Sequence, residues 1–357
     1  MAGNSRLGCG GGLGDIVNDG VDALLGELRV RAGVARGSVS RAGRLGFLRS
    51  LVDPFERLSE PELSVVERVP CDGYRRDRVE LEVLPGIRFG AYVLVPDGIR
   101  APSPGVLAVH GHGYGSRQII GLGADDSSDA DGNDLYGRFA VQLVRRGLVV
   151  IAPDVVGFGE RMTDVDRAYD SAAPSSCYRL SMELMMSGYT LTGLRIAELL
   201  GVLDAVAAHP DIDRDRIGIF GHSGGSLWSM IAMALDERIR AGVLCGFANT
   251  FADSFLAVHH CACNFVPGLL TVAEQPDLLA LLAPRPLFLE SGAEDPIFPA
   301  SGFRSAVESV SAVYTDLEAA DCFRSDLVPG VEHAVSGRLS YDWLAETLTG
   351  PGTAPTL

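Results

Sequence analysis

Lysine is missing from this sequence, so all 30 of its basic residues are arginine. That absence excludes chemistry built on a lysine amine, including Schiff bases, pyridoxal-phosphate attachment and the phosphate-loop lysine. The arginine, alanine and glycine bias of a GC-rich genome is enough to produce it. Positive charge is scarce as well, and the formal net charge is −16. Nucleic acid and anionic membrane both require basic patches, so neither is an expected partner. The seven cysteines, at 9, 71, 177, 245, 261, 263 and 322, are odd in number and scattered. In a large chain this is not a disulfide framework and points to a reducing compartment. No apolar run reaches the length of a bilayer span, and the opening "MAGNSRLGCGGGLGDIVNDG" has no continuous apolar stretch. A soluble, cytoplasmic protein is the expectation.

Hydrophobic residues make up 47% of the 357-residue chain, ample for a large core. From residue 77 onward, short apolar segments bounded by Gly and Pro read as strands: 78–85, 87–96, 105–110, 148–153, 216–221, 241–246, 286–290 and 322–328. Segments with helical spacing lie between them, at 135–146, 191–208, 224–235 and 301–313. Alternation of this kind predicts an α/β fold, a mostly parallel twisted sheet of about eight strands with helices on both faces. Residues 1–64 read as an N-terminal extension, helical or partly loose, and the N-terminal eighty residues as suited to capping the site or forming a homodimer. Residues 65–348 read as one catalytic domain and 349–357 as a tail. Longer interruptions fall at 114–134, 161–190 and 247–284, each after a strand, where open α/β sheets bind ligands.

At 221–225 the strand "RIGIFG" turns into a helix through Gly221-His222-Ser223-Gly224-Gly225. The pattern G-x-S-x-G at a strand-to-helix corner forces a strained serine backbone and lifts the hydroxyl clear of the sheet. The amides that open the following helix suit a developing oxyanion. A serine hydroxyl needs a base, and the base an orienting carboxylate. Of the seven histidines, only His333, on a loop bearing Pro329 and Gly330, lies C-terminal to the later carboxylates. Asp295, in "LESGAEDPIFP", is the preferred acid, with Glu294, Glu290 and Asp253 as weaker alternatives. The "HGHGYG" loop at 110–115 would supply a second oxyanion donor, the amide of His112, beside that of Gly224.

Together these motifs, with "IAPDVVGFGER" and "LLALLAPRPLFLESGAEDPIFP", resemble the α/β-hydrolase superfamily over roughly 65–348. Within it the chain is similar to bacterial dienelactone-hydrolase-like and acetyl-xylan-esterase-like serine hydrolases. The resemblance implies an acyl-serine enzyme without metal or organic cofactor. Ser223 would be nucleophile, His333 base, Asp295 acid, and Gly224 and His112 oxyanion donors. Dienelactone hydrolases proper use a cysteine nucleophile, so Ser223 does not imply that activity. Polysaccharide esterases of the secreted type generally carry a signal sequence, so polymeric xylan is not an expected substrate. The expected function is hydrolysis of a small-molecule carboxylic ester. The alternative on the same triad is acyl transfer, lactone formation or carbon–carbon bond hydrolysis.

Three further motifs are discounted. In "HHCACNFVP" (259–267) the spacing is not that of a common zinc site and no second ligand pair lies nearby in sequence, so a pocket-mouth segment with buried thiols is expected and metal is not. Aligned as a calcium loop, "DDSSDADGND" (125–134) has Ser127 and Arg138 where acidic ligands belong. "GCGGGLG" (8–14) follows no strand and is not expected to bind a nucleotide.

Overall fold

The structure, a computed structural model, describes residues 20–124, 135–169 and 174–350. The glycine-rich segment 8–14, the acidic tract 125–134 and residues 351–357 therefore lie outside the described residues.

Among the described residues nine strands form a single sheet: β1 (Glu62–Cys71), β2 (Tyr74–Leu84), β3 (Ile87–Pro96), β4 (Ser103–Val109), β5 (Val149–Pro153), β6 (Ile212–His222), β7 (Ile239–Cys245), β8 (Leu287–Gly292) and β9 (Phe323–Val328). Their spatial order is β1-β2-β3-β5-β4-β6-β7-β8-β9. The first three strands form an antiparallel meander that joins β5 antiparallel, and the remaining pairs are parallel. The strand not foreseen is β1. Its side chains are exposed or half-buried along their length, which removes the apolar alternation that betrays a strand.

Central strands are apolar without interruption because both faces are covered. Val106 and Ala108 of β4 enter one core, while Leu107 and Val109 enter the other, as the two-residue period requires. One core is closed by the helices Leu191–Ala208 and Gly224–Leu235, through Ile196, Leu203, Leu227 and Ile231. On the opposite face Phe139 and Leu143 of the helix Phe139–Val144 pack with Leu344 and Leu348 of Ser340–Thr349. The helix Arg41–Val52 starts on a Ser40 cap and buries Leu48 and Val52 in the first core. Its Arg41 guanidinium donates to the carbonyls of Leu281 and Ala283. Residues 41–52 of the N-terminal segment are thus built into the main core, whereas the helix Val21–Arg36 buries none of its side chains.

The carboxyl ends of the parallel strands all lie along one edge, where such sheets bind ligands. From it emerge the 110–115 loop after β4, Ser223 after β6, the 247–284 segment after β7, Asp295 after β8 and His333 after β9.

Candidate active site

Ser223 occupies the single residue between β6 and the helix Gly224–Leu235, with φ 55° and ψ −123°, a conformation that costs a non-glycine residue about 1–3 kcal/mol. What holds it is close packing on both sides. A Cβ at Gly221 would lie 2.6 Å from the Gly225 carbonyl oxygen, and one at Gly225 would lie 2.2 Å from that of Val109. Only glycine fits at either position. The Ser223 N–H donates to the Cys245 carbonyl at 2.9 Å, pinning the corner to β7.

His333 Nε2 lies 2.9 Å from Ser223 Oγ, and His333 Nδ1 lies 2.7 Å from Asp295 Oδ2. A carboxylate only accepts, so Nδ1 carries the proton and the Nε2 lone pair faces the serine hydroxyl. Asp295 is buried, and its Oδ1 accepts the amides of Ile297 and Phe298 at 2.8 and 3.0 Å. The Phe298 ring stacks on His333 with centroids 5.6 Å apart. Of the other carboxylates weighed from the sequence, Glu294 is exposed and Asp253 accepts the Thr250 hydroxyl. Glu290 is fully buried and accepts from Ser336 N, Gly337 N and Ser340 Oγ. It anchors the turn that follows His333, a positioning role the sequence did not reveal.

His112 lies beside the corner: a Cβ on Gly224 would be 3.4 Å from His112 Nδ1. The main-chain N–H groups of His112 and Gly224 have no acceptor among the described residues. Tyr136 Oη donates to the His112 carbonyl at 2.9 Å. Farther along the loop, Ser116 gives both its N–H (2.8 Å) and its hydroxyl (2.7 Å) to Asp154 Oδ1. Asp154 Oδ2 accepts Arg78 Nη1 at 3.1 Å. Burial opposes the charge on Asp154, but His110, Arg78 and the Ser116 donors outweigh it, so its pKa falls below the usual range. Because His110 is itself neutral near pH 7, Arg78 and Ser116 carry that effect.

His110 Nδ1 donates to the Gly111 carbonyl at 2.7 Å and Nε2 accepts the Val155 amide at 3.0 Å, which leaves no lone pair for a second proton. Burial pushes its pKa down from 6.5 to about 4. His222, buried against Tyr136 and His333, is likewise pushed well down by burial and by the His333 charge. An unfolded chain protonates these rings below pH 6.5 while the folded chain resists, so stability falls with pH at about 1.4 kcal/mol per unit per ring. Acidification from about pH 7.5 to about pH 5 should cost about 2 kcal/mol through His110 alone. The raised His112 pKa acts in the opposite sense over this range, so the measurement is the shift in thermal midpoint between the two pH values in wild type and in His110→Asn. Equal shifts would contradict the assignment.

Ser223 opens on a cavity of about 230 Å³. Leu135, Phe247, Phe255, Ile297 and Phe298 form its apolar wall, and His112, His259, His260 and Asn264 its polar one. The 259–264 segment does border this pocket. His260 Nε2 lies 3.1 Å from Ser254 Oγ, and burial with the neighbouring histidines lowers its pKa to about 4. Behind the 110–115 loop, Cys263 Sγ sits 3.3 Å from His112 Nε2, with Cys177 and Cys261 alongside. Burial alone would lower the His112 pKa, but hydrogen bonding to Cys177 and Cys261 raises it to about 9. Hydrogen bonds from Cys261 and Cys263 hold the Cys177 thiol far below its ordinary range. This grouping was invisible in the sequence because its members are 65 or more positions apart except for the Cys261–Cys263 pair.

The Abhydrolase family model matches residues 48–300, a span that includes Ser223 and Asp295 and stops short of His333. A Bacillus subtilis (strain 168) protein named as a hydrolase, YtaP, is 29% identical over 275 residues, covering 75% of this chain and 82% of that one. Among solved structures, a Bacteroides fragilis NCTC 9343 protein described as an acetyl xylan esterase superposes with a TM-score of 0.68 at 21% identity, covering 87% of this chain and 83% of that one. A glucuronoyl esterase from Solibacter usitatus gives 0.63 at 14% identity over 88% and 93% of the two chains. At these identities the solved structures speak to the fold.

Proposed function

The chain belongs to the Abhydrolase family, and on that footing we propose that it is a serine hydrolase of small carboxylic esters working through an acyl-serine intermediate. The observation that carries the reading is the unbroken relay from Asp295 through His333 to Ser223, ending at the floor of a cavity. Solved neighbours named for acetyl xylan and glucuronoyl esters support ester chemistry on this fold.

In the proposed reaction Ser223 Oγ attacks the ester carbonyl as its proton passes to His333 Nε2. The carbonyl oxygen becomes an oxyanion held by the N–H groups of His112 and Gly224, both uncommitted before substrate arrives. Collapse of the tetrahedral species breaks the bond to the alkoxy oxygen, which leaves as an alcohol carrying the proton from Nε2. Water then gives a proton to Nε2, its oxygen attacks the acyl carbon, and the released Oγ recovers that proton as the acid departs. Asp295 keeps the ring in the required tautomer and stabilises the imidazolium.

A cavity of about 230 Å³ is below the roughly 300–1,000 Å³ that houses a drug-sized ligand, so a short acyl group fits best. Overfilling such a site costs about 1–3 kcal/mol. In a nitrophenyl ester series, kcat/KM should therefore peak between acetyl and butyryl and fall by about tenfold or more at decanoyl. A rise toward long chains would contradict the small-pocket reading. A fluorophosphonate probe should add to the peptide bearing Ser223, and wild-type protein that resists the probe would overturn the acyl-serine mechanism.

A further inference from the structure

Three chain segments bring one imidazole nitrogen and three sulfurs together behind the oxyanion loop. His112 comes from the loop after β4, Cys177 opens the helix Cys177–Met186, and in the 247–284 segment Cys261 precedes the short turn Ala262–Asn264 that contains Cys263. Their four ligand atoms all lie within 4.8 Å of one another. Around a tetrahedral zinc ion, with Zn–S near 2.3 Å and Zn–N near 2.0–2.1 Å, such atoms stand about 3.5–3.8 Å apart. The observed spacing exceeds that by no more than about 1.3 Å.

A second observation concerns charge. Arg195 is 2% exposed and has no carboxylate within ion-pair distance among the described residues. Its guanidinium donates to the Val156 carbonyl and reaches Cys177 Sγ at 3.2 Å, so the sulfur cluster is its counter-charge. A buried cation needs a paired anion. One divalent ion held by three thiolates and a neutral imidazole carries a single negative charge, which Arg195 balances.

We propose that His112 Nε2, Cys177, Cys261 and Cys263 bind one zinc ion in a closed, structural site. Four protein ligands leave no position for water or substrate, so the ion does not take part in ester cleavage. Its role is to fasten the His112 loop to the segments that wall the pocket. Metal uptake releases the protons still carried by the thiols and the second proton of the His112 ring, so affinity falls in acid.

The test uses the full chain purified under reductant, without chelator. Elemental analysis should find close to one zinc per chain. Exchange into cobalt should produce the thiolate-to-cobalt charge-transfer band and the intense visible bands of tetrahedral cobalt. Cys261→Ser and Cys263→Ser should each weaken cobalt binding by about tenfold or more. Cys322→Ser, at a half-buried position away from the cluster, should leave it unchanged. Wild-type protein that stays below a tenth of an equivalent after dialysis against zinc, and gives no cobalt bands, overturns the site. So does a disulfide within the cysteine trio found by mass spectrometry under the same conditions. Metal content and cobalt spectra do not depend on turnover, so they stand apart from the proposed esterase activity.

Discussion

Ser223→Ala should lower kcat on a nitrophenyl ester by roughly 10⁴- to 10⁶-fold. The variant loses the nucleophile that His333 activates for attack on the ester, and what survives is the contribution of binding and of the oxyanion donors. Its unfolding midpoint should barely move, because alanine at φ 55° bears the same backbone strain as serine. His333→Ala should lose a comparable factor, and the double variant should be no worse than either single one, since the residues act as a unit. Asp295→Asn tests the far end of the relay. An amide that presents N–H to Nδ1 selects the wrong tautomer, and a loss of roughly 10⁴-fold is expected. Parallel kinetics and thermal melts on the four variants and wild type decide the matter. A Ser223→Ala protein that keeps a tenth of wild-type turnover would place the nucleophile elsewhere.

The second large effect is on stability. Asp154 accepts two donors from Ser116 and one from Arg78, and Arg78 is paired in addition with Glu160. Asp154→Ala strands a buried hydroxyl and a buried amide and leaves Arg78 with a more exposed partner. Removing one member of a buried pair costs about 3–5 kcal/mol, and the shift in urea midpoint measures it. Turnover should fall as well, because Ser116 holds the loop that carries His112. Asp154→Asn is the sharper comparison. Its carbonyl can still accept from Ser116, while its amide faces Arg78, so stability should suffer more than loop position. A loss below about 1 kcal/mol for the alanine variant would mean that Glu160 alone satisfies Arg78.

The sheet interior and the relay were legible for the same reason. Strands β2 to β9 are buried on at least one face, so their sequences must be apolar, and the corner at Ser223 permits so few residues that its glycines announce it. The edge strand β1 escaped because solvent on both faces places no such demand on its side chains. Asp295 could be preferred over Glu290 but not separated from it, since both lie near the carboxyl end of the same strand. Both are buried, and direction decides, turning Glu290 to the amides after His333 and Asp295 toward the imidazole. The "IAPD" segment was readable only as a likeness, because the partner of Asp154, Ser116, lies 38 positions away. The cysteine and histidine cluster was hidden by the same remoteness. A spacing rule finds ligands that are neighbours in the chain, and here only Cys261 and Cys263 are.

The left-handed backbone at Ser223 also bears on how this protein would respond to selection. Glycine adopts that conformation freely, so Ser223→Gly should relieve the strain and raise the unfolding midpoint, by an amount worth about 1 kcal/mol after glycine's own entropy cost. Arg138 and Glu318 share the positive φ, but at Ser223 the exchange that would steady the fold removes the group the chemistry cannot give up. A library screened for heat resistance alone would accumulate inactive glycine variants there, and only a screen that scores turnover alongside survival would keep the serine.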